Sequence, residues 1–395
     1  MSWISQSVAI TGQNLQSLGQ RRVNALVSVI GVAGVVAVFV AVLSMAAGFE
    51  RTMESVGSEL NIIVLREGSS SELDSGLSSE QVRIIKDAPG LAQDQAGPMA
   101  SAELHVVVDL RKKTTQTDAN VPLRGVEPAA ATIREGLSIV EGRWFEPGKM
   151  ELVAGLGAAS QFSGLEVGSR LKFGQSEWQL VGLFEADGGV PESELWADVK
   201  VVQPAYRRGN TYASVFARLE TAEALVGLRD TLSADPRLAV DVKLEREYFS
   251  EQSEALSGFI SIAGYGIAIL MALGAAFGAI NTMYTAVSER NREIATLKAL
   301  GFGAGPIVIS VLVESLLLAA VGGALGGGLA YLVFNGFTVS TLNFSGFSQI
   351  VFAFAVTPGL LFRGIVIALM IGLVAGFFPA IRAARRPVST ALRDL

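Results

Sequence analysis

The chain has no cysteine and only one histidine in 395 residues. The first absence excludes disulfides and thiolate metal sites. The second leaves no multi-histidine metal centre and makes repeated Ser-His-Asp chemistry untenable. The lone His105 falls in a predicted strand, where an ordinary structural role is the simpler reading. The pattern G-x-x-x-x-G-K-[ST] does not occur, so these residues contain no P-loop for ATP. Charge is also scarce. Charged residues make up 17%, against roughly 25% in soluble domains.

That scarcity is uneven. Four long stretches, near 23–49, 255–288, 304–335 and 364–381, are uncharged apart from Glu314 and account for most of it. A helix crosses a ~30 Å hydrocarbon layer with roughly 20 apolar residues, and each stretch is long enough. The first exceeds a signal-peptide core and lacks a small-x-small cleavage window, so it reads as a retained span. Residues 50–257 carry 21 basic and 33 acidic residues, a net −12, and the remainder carries 10 basic and 4 acidic, a net +6. Arg21, Arg22, Arg290, Arg292, Lys298, Arg382, Arg385, Arg386 and Arg393 flank the spans on one side. The positive-inside rule puts those segments and both termini in the cytoplasm, and the acidic block outside. That acidity argues against nucleic acid as a partner.

The expected fold class is therefore a membrane protein with four transmembrane α-helices in a one-plus-three arrangement and a large α/β extracytoplasmic domain after the first span. The divisions are a cytoplasmic amphipathic helix at 1–21 and the first span at 22–48. The outer domain with helical stalks occupies 49–257, in two lobes split near 136–146. The second span (258–287), a cytoplasmic helix (288–303) and the third span (304–334) follow. An apolar outer loop (335–357), the fourth span (358–380) and a cytoplasmic tail (381–395) complete the chain. Phe49, Met53, Val56 and Leu60 continue a helical pattern outward, and Tyr248, Phe249, Gln252, Leu256 and Phe259 lead into the second span. In the outer block, 61–65, 104–109, 151–154 and 214–219 read as strands, 170–173 and 177–184 as a hairpin, and 156–162 and 221–234 as helices. Residues 68–79, rich in Ser, Gly and acid, read as a mobile loop. Residues 336–357 are too apolar for an ordinary outer loop and are expected in the membrane interface or against the spans. Small-xxx-small patterns at Gly274 and Gly278, at Gly322, Gly323, Gly326 and Gly327, and at Gly372 and Gly376 point to close helix packing.

Two features carry more specific meaning. The run 287–302 reads as a short helix between spans. Ile294, Leu297 and Leu300 form its apolar face, Glu289, Arg290, Arg292, Glu293 and Lys298 its charge, and Gly301 suits the residue that ends it. Glu314 sits inside the third span, where a carboxylate costs roughly 2.5–3.5 kcal/mol on insertion scales. It lies about 18 Å of helix rise from Phe302, too deep to snorkel inward. It is expected to face the bundle, protonated or hydrogen-bonded, as a structural clamp or a proton- or substrate-handling group.

The segment "SERNREIATLKALGFGAGPI" resembles the coupling segment of MacB/FtsX-like ABC transporter permeases. "VLVESLLLAAVGGALGGGLA" is similar to that family's third span and "FFPAIRAARRPVSTALRDL" to its C-terminal end. "ELVAGLGAASQFSGLEVGSRLKFGQSEWQLVGLFEA", followed by "SELWADV", is similar to its periplasmic core domain. The likeness covers nearly the whole chain and is weakest over 68–118. It implies that Glu289, Arg290, Arg292, Glu293, Lys298, Ala299 and Gly301 form the ATPase-coupling site. It also implies a bacterial inner-membrane location and a separate P-loop ATPase, in two copies, as a partner. ATP and Mg would bind that ATPase, leaving no cofactor on this chain and no catalysis by it. Further implied partners are a second copy or a related permease, an extracytoplasmic adaptor or substrate protein, and membrane lipid. The implied function is mechanotransmission for efflux or extraction of lipid, lipoprotein, peptide or drug-like substrates. The alternative is an FtsX-like regulator that switches an outer partner such as a cell-wall hydrolase.

Overall fold

The computed structural model describes residues 3–17, 22–54, 58–134, 136–343 and 346–385. The chain forms two units. One comprises Met1–Ala47, Gly258–Phe337 and Phe354–Leu395, and the other Gly48–Ser257 with Thr338–Ala353. Arg21 and residues 386–395, which include Arg386 and Arg393, lie outside the described residues.

The first unit is helical. Its elements are α1 (Trp3–Ser17), α2 (Arg22–Glu54), α3 (Glu245–Glu289), α4 (Asn291–Ala299), α5 (Ala304–Phe334) and α6 (Pro358–Arg385); α2 and α3 also extend into the second unit. Among the described residues, α2, α3, α5 and α6 are long and apolar enough to cross a membrane. Each holds an 18-residue apolar window, and Pro358 opens α6 where its missing N–H costs nothing.

Backbone approach holds this bundle together. A Cβ on Gly326 would lie 2.3 Å from the Ala33 carbonyl oxygen of α2, and one on Gly322 2.8 Å from that of Val29. Gly372 and Gly376 of α6 lie against Ala319 and Ser315 of α5, and Gly323 and Gly327 of α5 against Ala368 and Leu361. Such contacts add dispersion where lipid offers no hydrophobic gain. Ser315 Oγ donates to the Gly372 carbonyl at 2.6 Å across the same seam. Gly274 and Gly278 of α3 are different, because nothing lies within 4 Å of either. Among the described residues, no atom meets the space a Cβ would take at either, and α3 leaves most of its apolar window uncovered.

The second unit is built on a ten-stranded sheet. Its strands in chain order are β1 (Asn61–Arg66), β2 (Ala100–Arg111), β3 (Asp118–Val126), β4 (Leu137–Gly142), β5 (Glu151–Gly155), β6 (Arg170–Phe173), β7 (Ser176–Ala186), β8 (Leu195–Asp198), β9 (Ser214–Arg218) and β10 (Val240–Leu244). The spatial order is β10-β1-β9-β2-β3-β8-β5-β7-β4, with β6 paired to β7. Parallel pairs β3–β8 and β5–β7 mix with antiparallel neighbours, so the domain is α/β in character. Ile62, Val64, Leu123, Leu152, Trp178, Leu180 and Val215 form its core.

Three expectations change here. The expected lobe boundary near 136–146 contains the edge strand β4 (Leu137–Gly142), paired to β7. The strand groups instead meet on β2, whose Ala100–Glu103 pair with β9 and Leu104–Arg111 with β3. The loop at 68–79 is not free. Asp74 accepts hydrogen bonds from the backbone N–H groups and hydroxyls of Ser70 and Ser71, and Glu72 is buried. The apolar segment 335–357 divides: 335–337 and 354–357 belong to the helical unit, where the Ala355 N–H donates to the Ser44 carbonyl and Val356 packs on the spans as expected. Between them lies a hairpin, β11 (Thr338–Asn343) and β12 (Ser348–Ala353), which belongs to the domain unit. The Val351 N–H donates to Ser193 Oγ at 2.8 Å, and Lys112 and Asn120 donate to Gln349 and to the Phe347 carbonyl. Ile350, Val351 and Phe352 are buried on β12, which buries five of six positions, whereas Phe337 and Phe347 are exposed.

Candidate coupling site

The short helix α4 sits between α3 and α5. Arg290 breaks the register after Glu289, and Gly301 ends α4 with φ +89°. The Gly301 N–H donates to the Lys298 carbonyl and the Phe302 N–H to that of Leu297, each at 3.0 Å. This is the Schellman closure, whose left-handed residue favours glycine. Ile294, Leu297 and Phe302 then pack on Ile10, Met283, Val287, Ile307 and Val311.

The seven residues implied as the coupling site divide between two faces. Glu289, Arg292, Glu293, Ala299 and Gly301 are exposed. Arg290 is not; it is 9% exposed and points inward. Its guanidinium donates to Glu314 Oε2 of α5 at 3.3 Å, to the Asn14 side-chain oxygen of α1, and to Glu293 at 3.3 Å. Asn14 in turn donates to Ser310 Oγ at 3.0 Å. Lys298 is also turned inward. Its Nζ donates to the carbonyls of Ala383 and Ala384 at 3.1 and 2.7 Å, placing a cation at the end of α6 where the helix dipole favours it. Burial pushes the Lys298 ammonium below its usual pKa.

Glu314 therefore has a cationic partner. The carboxylate does not descend to the polar edge; the arginine side chain reaches it from the α3–α4 junction. Leu300, expected on the apolar face, is 71% exposed instead. Together with Arg292, Thr296 and Ala299 it forms an outward stripe of mixed charge and apolar surface at three- and four-residue spacing. Sequence reasoning missed Asn14 and Ser310. Ser310 had a signal, since it lies one helical turn before Glu314 on the same face. Asn14 had only its place in a helix otherwise read as a membrane-surface element. Among the described residues, no cluster of acidic or imidazole side chains could hold a metal.

Residues 23–235, more than half of the chain, match the family model of the MacB-like periplasmic core domain. Residues 265–388 match that of the FtsX-like permease C-terminal region. The chain belongs to the MacB/FtsX-like permease family. It is 26% identical to the macrolide export ATP-binding/permease protein MacB of Bdellovibrio bacteriovorus, over 96% of this chain but 61% of that protein. The MacB of Chlorobaculum tepidum is 25% identical over 98% of this chain and 62% of that protein. The chain thus spans about three fifths of these relatives. An uncharacterised ABC transporter permease of Methanocaldococcus jannaschii is 23% identical over 95% of both chains. Among solved structures, the periplasmic region of MacB from Actinobacillus actinomycetemcomitans aligns with a TM-score of 0.38 at 11% identity, covering 49% of this chain and 92% of that one. The chain is an ABC transporter permease with membrane-spanning helices and an extracytoplasmic MacB-like domain. Its similarity covers the permease portion of these relatives.

Proposed function

We propose that this chain receives ATP-driven motion from a separate P-loop ATPase at α4 and transmits it to its extracytoplasmic domain. The observation that supports this reading is the two-faced construction of α4. Arg290 and Lys298 fasten its two ends to α5 and α6, while Arg292, Glu293, Thr296, Ala299 and Leu300 face outward. A helix held at both ends moves its neighbours when pushed, and its mixed-charge outer stripe suits a protein partner. In this reading both termini and α4 are cytoplasmic, in the inner membrane of a bacterium. Two ATPase copies serve two permeases, and ATP and Mg bind the ATPase. The cargo is amphiphilic: a drug-like molecule, lipid, lipoprotein or peptide. The macrolide-export names of the relatives agree with the drug-like end of that range.

The test is affinity purification of the tagged chain from its own cells. A P-loop ATPase is expected to copurify, and the double charge reversal Arg292→Glu, Glu293→Arg to lower its yield several-fold. Membrane-impermeant thiol labelling of Arg292→Cys in intact cells should fail; labelling there would overturn the reading. ATPase stimulation by added lipid or drug supports transport, whereas stimulation only by an outer protein partner supports the regulatory alternative.

A further inference from the structure

The outer domain holds a second concentration of charge, unconnected in sequence. Glu72, Glu103, Arg124, Arg134, Glu194 and Glu245 are each at most 7% exposed. Their contacts form one path. Glu245, in the first turn of α3, accepts from the Asn61 side chain of β1 at 2.9 Å and lies 3.9 Å from Arg134. Arg134 donates two bonds of 2.8 Å to Glu103 on β2. Glu103 also accepts from Arg124 on β3 at 3.0 Å. Arg124 grips Glu72 at 2.6 and 2.8 Å and Glu194 at 2.7 and 2.8 Å. The Glu72 N–H then donates to the Tyr248 hydroxyl at 3.2 Å. Tyr248 is one turn after Glu245, so the path leaves α3 and returns to it.

Besides α3, the circuit pins β1, β2, β3 and the turn at 69–74. The Arg134 guanidinium lies 4.1 Å from the centroid of the Phe216 ring, which fixes its plane. Four carboxylates face two guanidiniums. Burial would raise the Glu72 carboxyl, but Arg124 and the Ser214 hydroxyl hold it down at about 2. Burial pushes Glu245 up. His105, beside them on β2, is pushed down by burial, and its Nδ1 has no hydrogen-bond partner among the described residues. Buried charges of this kind are poor stabilisers compared with well-packed apolar side chains, but each bidentate pair allows one orientation only. A circuit that begins and ends on one helical turn constrains the direction of that turn.

We propose that this circuit is a joint that locks the first turn of α3 to the sheet, so that the domain follows the helix without slack, with Arg134 and Tyr248 as positioning residues. The proposal rests on the reading that motion reaches the domain through its helices. It is tested on the full chain in lipid nanodiscs without any ATPase, so its failure leaves the coupling reading untouched. Because the chain has no cysteine, spin labels at Glu141→Cys on β4 and Glu254→Cys on α3 report one distance within this unit. The wild-type distribution should be narrow. Arg134→Met should broaden it about twofold or more, and Arg134→Lys, which keeps the charge, should recover part of the narrowing. Tyr248→Phe, which removes one oxygen, should speed amide exchange in the 69–74 turn and the first turn of α3 by roughly tenfold while leaving β5 and β7 unchanged. An unaltered distance distribution, or exchange that rises equally in every strand, would overturn the joint.

Discussion

Arg290 and Glu314 offer the sharpest test of how α4 is fastened. Both side chains are at least nine-tenths buried, and their charged atoms are 3.3 Å apart. At an effective dielectric near 20, that separation corresponds to an attraction of about 5 kcal/mol. Removing the cation alone leaves a carboxylate inside a span, at a cost of about 3–5 kcal/mol. Arg290→Met also strips Asn14 of a donor, adding about 1 kcal/mol. Glu314→Leu should also be harmful, because the buried guanidinium keeps only Asn14 and the exposed Glu293 as partners among those described. The double variant removes both charges and replaces them with apolar volume, and it should lose only about 1–2 kcal/mol. The coupling energy then exceeds about 2 kcal/mol, well above the ~0.5 kcal/mol expected of independent sites. Unfolding of the four proteins in mixed micelles with increasing sodium dodecyl sulfate, followed by tryptophan fluorescence, measures it. If the single losses add, with coupling below about 0.5 kcal/mol, Arg290 does not hold Glu314 and α4 is not fastened there.

Further outcomes are expected. Gly326→Val should destabilise the bundle by about 1–3 kcal/mol through its clash with Ala33, whereas Gly274→Ala should be neutral, as the same unfolding assay would report. Lys298→Met should remove both bonds to the end of α6 and speed amide exchange in its last turn, with a loss near 1 kcal/mol. The Glu72 carboxyl titrates near 2 in the folded domain, below its ordinary value of 4.5. Its stabilisation is therefore present above pH ~4.5 and lost as pH falls toward 2. Glu245 runs the other way: its raised pKa favours the fold at acidic pH and disfavours it as pH rises through that value. Glu72→Gln should flatten the acid limb of a thermal-midpoint profile, and Glu245→Gln the opposite limb.

The spans were legible because an uncharged run of twenty residues is a local property, and membrane crossing depends on little else. The end of α4 was legible for a related reason, since Gly301 meets a backbone requirement set by its own position. The facing of Arg290 was not. Its partner Glu314 lies 24 residues away and becomes a neighbour only once α4 folds back and brings the end of α3 against α5. The charged joint was less visible still, because Glu72 and Arg124 are 52 residues apart, the one in a polar turn and the other in an apolar strand. The hairpin at 338–353 misled for a different reason. Apolar content marks burial, but it does not say whether lipid or a protein core provides it.

That hairpin alters how the outer domain can be handled. The chain enters and leaves the domain unit twice, at 47/48 and 257/258 and again at 337/338 and 353/354. A fragment cut at 49–257 would lack a panel of its own wall, exposing the side chains that Val351 covers and leaving the Ser193 hydroxyl without its donor. Exchanging this domain between relatives, or expressing it alone, therefore requires two pieces of chain.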